Sequence, residues 1–311
     1  MLALPTRGLY STSAEHRIDI TAICDWIEGN ILFQVDQTLS RPQIVDALIE
    51  NELVNNQETA WTVVEDAVAE LQRRGEWLGN GRAIDIQANR FRCLLTWRQS
   101  VAHAFCLMLS FAQWYPGWAR QFGKNYSQQG ELFECFTREA IKRLLPGWEA
   151  QITGWSRAHT KYLDEVVSQV AEWLVVQPLE LRPWTKKTAK EEGLDIVCYF
   201  SFLDGRSNFP AYFLQCASGG DWEAKRHTPS LDTWKKIIDF TVAPQKAFSI
   251  PHALRDDDFR RHGNFVQGVI FDRLRLLLPN RQSPNWLSGQ LQKGLLAWLR
   301  PRIKALSSIN D

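Results

Sequence analysis

Asp195 and Gln215 are the two residues whose type and placement most invite a chemical reading. Asp195 stands in Gly193-Leu194-Asp195-Ile196-Val197, at the mouth of a β-branched apolar run, and Gln215 interrupts Tyr212-Phe213-Leu214-Gln215-Cys216 in the same way. Carboxylates are depleted in strand interiors, so an acid there asks for a reason. One reason is an edge residue that pairs with a backbone group or a lysine. The other is chemical: a carboxylate at a strand start and an amide oxygen on the strand paired to it are hard ligands of the kind Mg²⁺ or Mn²⁺ takes. Hydrolysis of a phosphodiester at neutral pH needs an activated water and neutralised charge on phosphorus, which such ions supply. A nearby lysine orients the water or stabilises the developing negative charge. The chemical reading is preferred because two adjacent strands are interrupted alike.

The elements that must position this pair are legible as patterns. Leu194 to Phe202 and Ala211 to Cys216 read as strands joined through Asp204-Gly205-Arg206. Upstream, a helix is expected from Gly130 to Leu145, a strand from Trp148 to Ile152, and an amphipathic helix from Thr160 to Val175. A strand from Ala247 to Ile250 and a C-terminal amphipathic helix from Trp286 to Leu306, interrupted by Pro301, follow. This alternation implies an α/β (mixed α+β) region over 127–311, with a central mixed sheet flanked by helices.

The first part of the chain has a different pattern. Ile18 to Ile27 recur at helical spacing with Gly29-Asn30 as a stop, and Ile31-Leu32-Phe33 forms a short apolar stretch after it. Ser40-Arg41-Pro42 opens a second helix, and Glu58 to Arg74 forms a third with Gly75 past its end. Glu76–Leu78 and Ala83–Ile86 around Gly79-Asn80-Gly81 read as a hairpin. Three helices and a hairpin is the order of a winged helix, here 1–93. The third helix, however, turns Glu58, Glu65, Asp66 and Glu70 to solvent and Gln72, Arg73 and Arg74 only at its end. Such a face repels phosphates, so protein contact or dimerisation competes with DNA reading. Residues 94–126, rich in Trp and Phe, read as a buried helical connector ending near Pro116-Gly117.

Bulk properties set outer limits. With 311 residues, 45% hydrophobic and 23% charged, the chain is long enough for one large core or two modest ones. Its net charge of +1 argues against a purely electrostatic nucleic-acid binder, though one basic face would suffice for an enzyme. The six cysteines form no CxxC pair and have no zinc-finger spacing, so they read as reduced thiols in a cytoplasmic protein. Neither a signal peptide nor a membrane span is expected. The 14 tryptophans read as core packing.

Taken together, Gly193-x-Asp195-Ile196-Val197, a hairpin and Leu214-Gln215-Cys216 resemble the PD-(D/E)XK nuclease core. Within that superfamily the segment looks most like the Mrr-type, restriction-endonuclease-like branch, which often writes its second motif Gln-x-Lys. Gly130-Glu131-Leu132-Phe133-Glu134 resembles the Gly-x-x-Phe-Glu that opens that core and implies Glu134 as a further active-site acid. The resemblance covers about Gly130 to Pro251 and implies Mg²⁺-dependent DNA cleavage in a restriction or anti-phage defence system. The partners it implies are DNA and proteins of a defence operon; a homodimer is a further arrangement considered. Asp195, Gln215 and Glu134 are the implied metal ligands.

One departure stands out. The expected lysine is Ala217, and Ser218-Gly219-Gly220-Asp221-Trp222-Glu223-Ala224-Lys225 offers Lys225 as a displaced replacement, with Lys187 or Lys190 as substitutes. Two rival expectations follow: a catalytically inactive nuclease fold acting as a DNA-binding or assembly subunit, and a winged-helix transcription regulator. Other candidates carry less. Asp256-Asp257-Asp258 point in different directions on a helix, and His103, His227, His252 and His262 have no metal-ligand spacing. Asp272, Arg273 and Arg275 fit either an internal ion pair or a phosphate contact. No GxxxxGK[ST], GxGxxG or GxSxG occurs.

Overall fold

In the computed structural model, residues 1–5, 18–122, 126–153, 162–181 and 193–306 are described. The chain forms two compact units: residues 1–124 with 251–255 and 273–311, and residues 125–250 with 256–272. The division differs from the boundaries expected from sequence, because the C-terminal segment from 273 belongs with the N-terminal part of the chain.

The first unit begins with α1 (Ile20–Phe33), β1 (Thr38–Ser40), α2 (Arg41–Glu50) and α3 (Gln57–Leu78), followed by β2 (Ile84–Ile86) and β3 (Arg90–Cys93). The three strands form an antiparallel sheet in the order β1-β3-β2. α2 starts where the sequence places it, with a capping box between Ser40 and Gln43 and proline in the first turn. Two expected helix ends are corrected. α1 runs past Gly29-Asn30 to Phe33, because the Phe111 ring lies 2.1 Å from where a Gly29 Cβ would stand. That glycine serves close packing within a helix rather than a stop. α3 likewise continues through Gly75 and Glu76 to the buried Leu78. Gly79-Asn80-Gly81 then forms a 3-10 turn, not a hairpin loop. The hairpin is β2–β3, turning at 87–89.

α4 (Val101–Trp114) and α5 (Pro116–Gln121) complete this stretch. α4 is apolar on all sides and buried almost throughout. A set of charged side chains is buried beside it. The guanidinium of Arg273 meets Asp25 and Glu28 of α1, which also take Arg74 of α3; Arg74 in turn holds Glu70, and His103 of α4 meets Glu28. Burial alone would raise the Asp25 and Glu28 carboxyls. Arg273 and Arg74 outweigh it at Asp25, and Arg74 and His103 at Glu28, holding both below the ordinary range. Arg74 is therefore not a surface residue, and Arg73 is turned onto Glu70 at 2.8 Å.

The second unit contains α6 (Tyr126–Leu144), β4 (Glu149–Ile152), α7 (Leu163–Leu174), β5 (Gln177–Pro178), β6 (Ile196–Tyr199) and β7 (Ala211–Cys216). After these come α8 (Leu231–Ile237), β8 (Ile238–Asp239), β9 (Gln245–Ser249), α9 (Asp256–Val266) and β10 (Val269–Phe271). Five strands make a mixed sheet in the order β10-β9-β7-β6-β4. β6 runs antiparallel to both of its neighbours, β4 and β7, whereas β9 and β10 run parallel to β7. Val197 and Phe213 pack with α7 and α8 on one face of the sheet. Alternation places Cys216 and Ser249 on the other face, where α6 supplies Thr137. The result is a central mixed sheet with helices on both faces.

The chain then returns to the first unit as α10 (Arg273–Leu276) and α11 (Gly289–Leu306), which holds Pro301 within it. α11 packs on α4, with Phe105 and Trp298 edge to face at 5.3 Å. No helix among the described residues is long and apolar enough to cross a membrane.

Candidate active site

The register of β6 against β7 pairs Ile196 with Leu214 and Val197 with Phe213, which sets Asp195 across from Gln215. Both side chains are only 7% exposed. Asp195 is fixed through its backbone on two sides: its N–H donates to the Leu214 carbonyl, and its carbonyl accepts from Thr153 N–H, each at 2.9 Å. The Thr153 hydroxyl donates to the Leu194 carbonyl, so the end of β4 also holds the approach to Asp195. The Asp195 Oδ2 accepts from Gln215 Nε2 and, at 2.5 Å, from the backbone N–H of Cys216. Two residues that merely interrupt their strands in sequence are thus one hydrogen-bonded pair.

Gly193 explains why the motif begins with glycine. Its φ is +70°, and a Cβ there would lie 2.9 Å from Gln215 Oε1 and 2.6 Å from Thr228 Cβ. The backbone therefore passes directly over the amide oxygen of Gln215.

Glu134 comes from α6, on the other face of the sheet. Its carboxylate lies back over Gly130, 4.0 Å from where a Cβ of that glycine would stand. Thr137, one turn on, bridges to Ser249 Oγ at 3.0 Å. Burial, then the charges of Asp195 and Glu134, push the Cys216 thiol well above its ordinary value. One buried thiol thus feels both acids.

Lys225 stands apart from them. It closes the 3-10 turn Trp222–Lys225 and is exposed; its carbonyl accepts from the Thr228 hydroxyl at 2.7 Å. Its loop reaches the site through Thr228, but among the described residues its ammonium makes no hydrogen bond or ion pair. Ala217, where the resembled motif has lysine, is fully buried and donates its N–H to the Ser249 carbonyl at 2.9 Å. Lys187 and Lys190 lie outside the described residues.

The sequence reading missed Thr153, whose position only the β4–β6 pairing shows; outside this site, it also gave no role to Lys246 on β9. The latter carried a usable signal, a charged residue inside an apolar strand, the same one that marks Asp195. Of the four histidines weighed above as metal ligands, His103, His252 and His262 are buried and hydrogen-bonded, and His227 is exposed. Asp256, Asp257 and Asp258 occupy the first turn of α9, where negative charge suits the helix dipole. Arg273 forms the internal ion pair, with Asp25 and Glu28 rather than Asp272.

The donor set fits a hard divalent cation in kind: two carboxylates and an amide oxygen. Gln215 here turns Nε2, not Oε1, to Asp195, and a half-turn of its terminal torsion exchanges the two. No group of three or more His, Cys, Asp or Glu side chains placed to hold a metal occurs among the described residues. Comparison with protein-family models, curated proteins and solved structures returned no match to this chain.

Proposed function

We propose that the second unit is a divalent-metal-dependent deoxyribonuclease of the PD-(D/E)XK type, working in the cytoplasm as part of a restriction or anti-phage defence system. The observation that carries this reading is the Asp195–Gln215 pair, buried at the end of two antiparallel strands. Asp195, Gln215 through Oε1, and Glu134 would hold Mg²⁺ or Mn²⁺; when bound, the ion would supply an activated water and neutralise charge on the phosphoryl group. The chain's own part is to fix Asp195 from both neighbouring strands and to keep Gln215 under Gly193, so that the ligand set is rigid before substrate arrives. Lys225, on an exposed loop, would meet the phosphate from the solvent side and donate to developing charge. In the first unit, the order helix-strand-helix-helix-strand-strand supports a winged-helix module that engages DNA or a protein partner.

Incubation with supercoiled plasmid and Mg²⁺ or Mn²⁺, beside an Asp195→Ala variant, tests the proposal. Nicking or linearisation by the wild type alone is the expected result. A second reading, an inert nuclease fold that binds DNA or assembles a defence complex, is favoured by the buried Ala217 and the unengaged Lys225 ammonium. DNA retention without cleavage, even with proteins of its operon present, would select it.

A further inference from the structure

Lys246 is a buried cation whose only polar partner among the described residues is neutral. It is the second residue of β9, opposite Phe213, and is 9% exposed. Its Nζ donates to the carbonyl of Arg226 at 2.6 Å, and among the described residues it forms no ion pair. Burial lowers the pKa of this amine, which is the signature of a positive charge held away from water without a counter-charge. Such a group is costly to keep unless something anionic meets it.

The space beside it is shaped for that. Lys246 lines an open groove of about 390 Å³. Ser230, His227, Lys235, Asn264 and Gln267 line the same groove and bring further hydrogen-bonding groups to it. Asp232, the one acid on the rim, lies 4.0 Å from Lys235 Nζ and is partly offset by it. Phe265 adds an apolar wall, its ring 4.5 Å from the Arg226 guanidinium. An ammonium and several hydrogen-bonding side chains lining one groove suit a tetrahedral oxyanion, and an aromatic wall suits a ring carried with it.

We propose that this groove binds a phosphate group carried on a ligand of about mononucleotide size, with Lys246 as the central contact. The inference goes beyond nuclease activity and does not depend on it, because none of the groove residues belongs to the Asp195 site. Two sources share the chemistry: a free nucleotide and the backbone of a polynucleotide.

The test is calorimetric titration of the full chain carrying Asp195→Asn, which keeps any polynucleotide intact. The probes are inorganic phosphate, deoxyadenosine monophosphate, acetate and a short duplex oligodeoxynucleotide. The expected result is binding of the phosphate-bearing probes, weakened about tenfold or more by Lys246→Gln and by Lys246→Met. Met keeps the apolar stem and removes the uncompensated charge, so that variant should melt no lower than its parent; near-ultraviolet circular dichroism verifies its packing. Lys246-dependent binding of the oligonucleotide alone supports the polynucleotide as the source. Binding of the mononucleotide as well supports a free nucleotide. Absence of binding by every phosphate probe, equal affinity in both Lys246 variants, or acetate binding as tightly as phosphate overturns the proposal. Cleavage is measured separately on the Asp195 chain, so failure of either idea leaves the other standing.

Discussion

Arg273 and Asp25, 248 positions apart, form a two-pronged ion pair in which Nη1 and Nη2 donate to Oδ1 and Oδ2, each at 2.9 Å. The same guanidinium reaches Glu28 at 3.1 Å, Ser110 Oγ at 2.6 Å and the Pro251 carbonyl at 2.9 Å. Every donor on this fully buried group is therefore engaged, and the segment that returns to the first unit is tied to α1 and α4. Replacing Arg273 with methionine would leave Asp25 and Glu28 sharing Arg74 in a low-dielectric interior. A loss of about 3–5 kcal/mol in urea unfolding is expected. A loss under about 1 kcal/mol would show that the pair contributes shape and not stability.

The same cluster fixes the response to acid. Asp25 and Glu28 both have folded pKa values below their ordinary ones, so they contribute stability that is present above the unfolded values and lost as the pH falls toward the folded ones. The loss should begin near the ordinary values of 3.8 and 4.5 and deepen below them. In urea unfolding followed against pH, Glu28→Gln should lower stability at neutral pH and flatten this acid limb. An acid limb as steep as in the wild type would remove Glu28 from the explanation.

Much of the second unit was legible because its signals are local. β7 lies where its apolar and aromatic run after the Asp204-Gly205-Arg206 turn places it, and Asp195 and Gln215 were visible because each breaks an apolar strand. The failures were all long-range. Gly79-Asn80-Gly81 looks like a hairpin loop, yet Gly79 caps α3 with φ +54°, and a Cβ on Gly81 would lie 2.2 Å from the Asn280 carbonyl oxygen. Gly29 looks like a stop and instead admits Phe111. Arg74 looks like a surface charge because nothing near it in sequence announces Asp25. A glycine or a charge records that something is close, but not what.

Gly193→Ala isolates one such glycine. A residue with Cβ at φ +70° is strained by about 1–2 kcal/mol, and here the Cβ also meets Thr228 and the Gln215 amide. Thermal unfolding should report that destabilisation. Cleavage should fall further than the stability loss predicts, since the strain is released against Gln215. A variant with wild-type stability and activity would mean that the loop of Thr228 yields without consequence.

Asp195→Asn and Lys225→Ala should separate chemistry from folding. Each is expected to cut cleavage by about a hundredfold, equivalent to about 3 kcal/mol of barrier. Lys225 is exposed, so its removal should change stability by no more than about 0.5 kcal/mol. Full activity in Lys225→Ala would dismiss this lysine and leave the charge-stabilising role to another cation.

His262 determines how the Lys225 loop responds to pH. Its Nδ1 lies 3.0 Å from Arg226 Nη1, and its ring packs on Trp222 with centroids 4.6 Å apart. A guanidinium can only donate, so Nδ1 must accept and the imidazole must be neutral. Burial is the largest cause that lowers its pKa; Arg226 and Arg261 add to it, while Glu223 and Asp258 oppose it. Because the folded value lies below the unfolded one, the unfolded chain takes up the proton first as the pH falls. His262 therefore costs nothing above its ordinary value of 6.5, and stability is lost progressively below it. Protonation also turns Nδ1 into a donor facing Arg226, which should release the loop that carries Lys225 and Thr228. Amide exchange at Ala224, Arg226 and Thr228, each hydrogen-bonded within that loop, should lose protection in the same range. His262→Gln retains an acceptor without a titrating proton and should keep that protection constant through the same range. If wild type and variant lose protection alike, the loop is held by Trp222 and Lys246, and His262 only fills space.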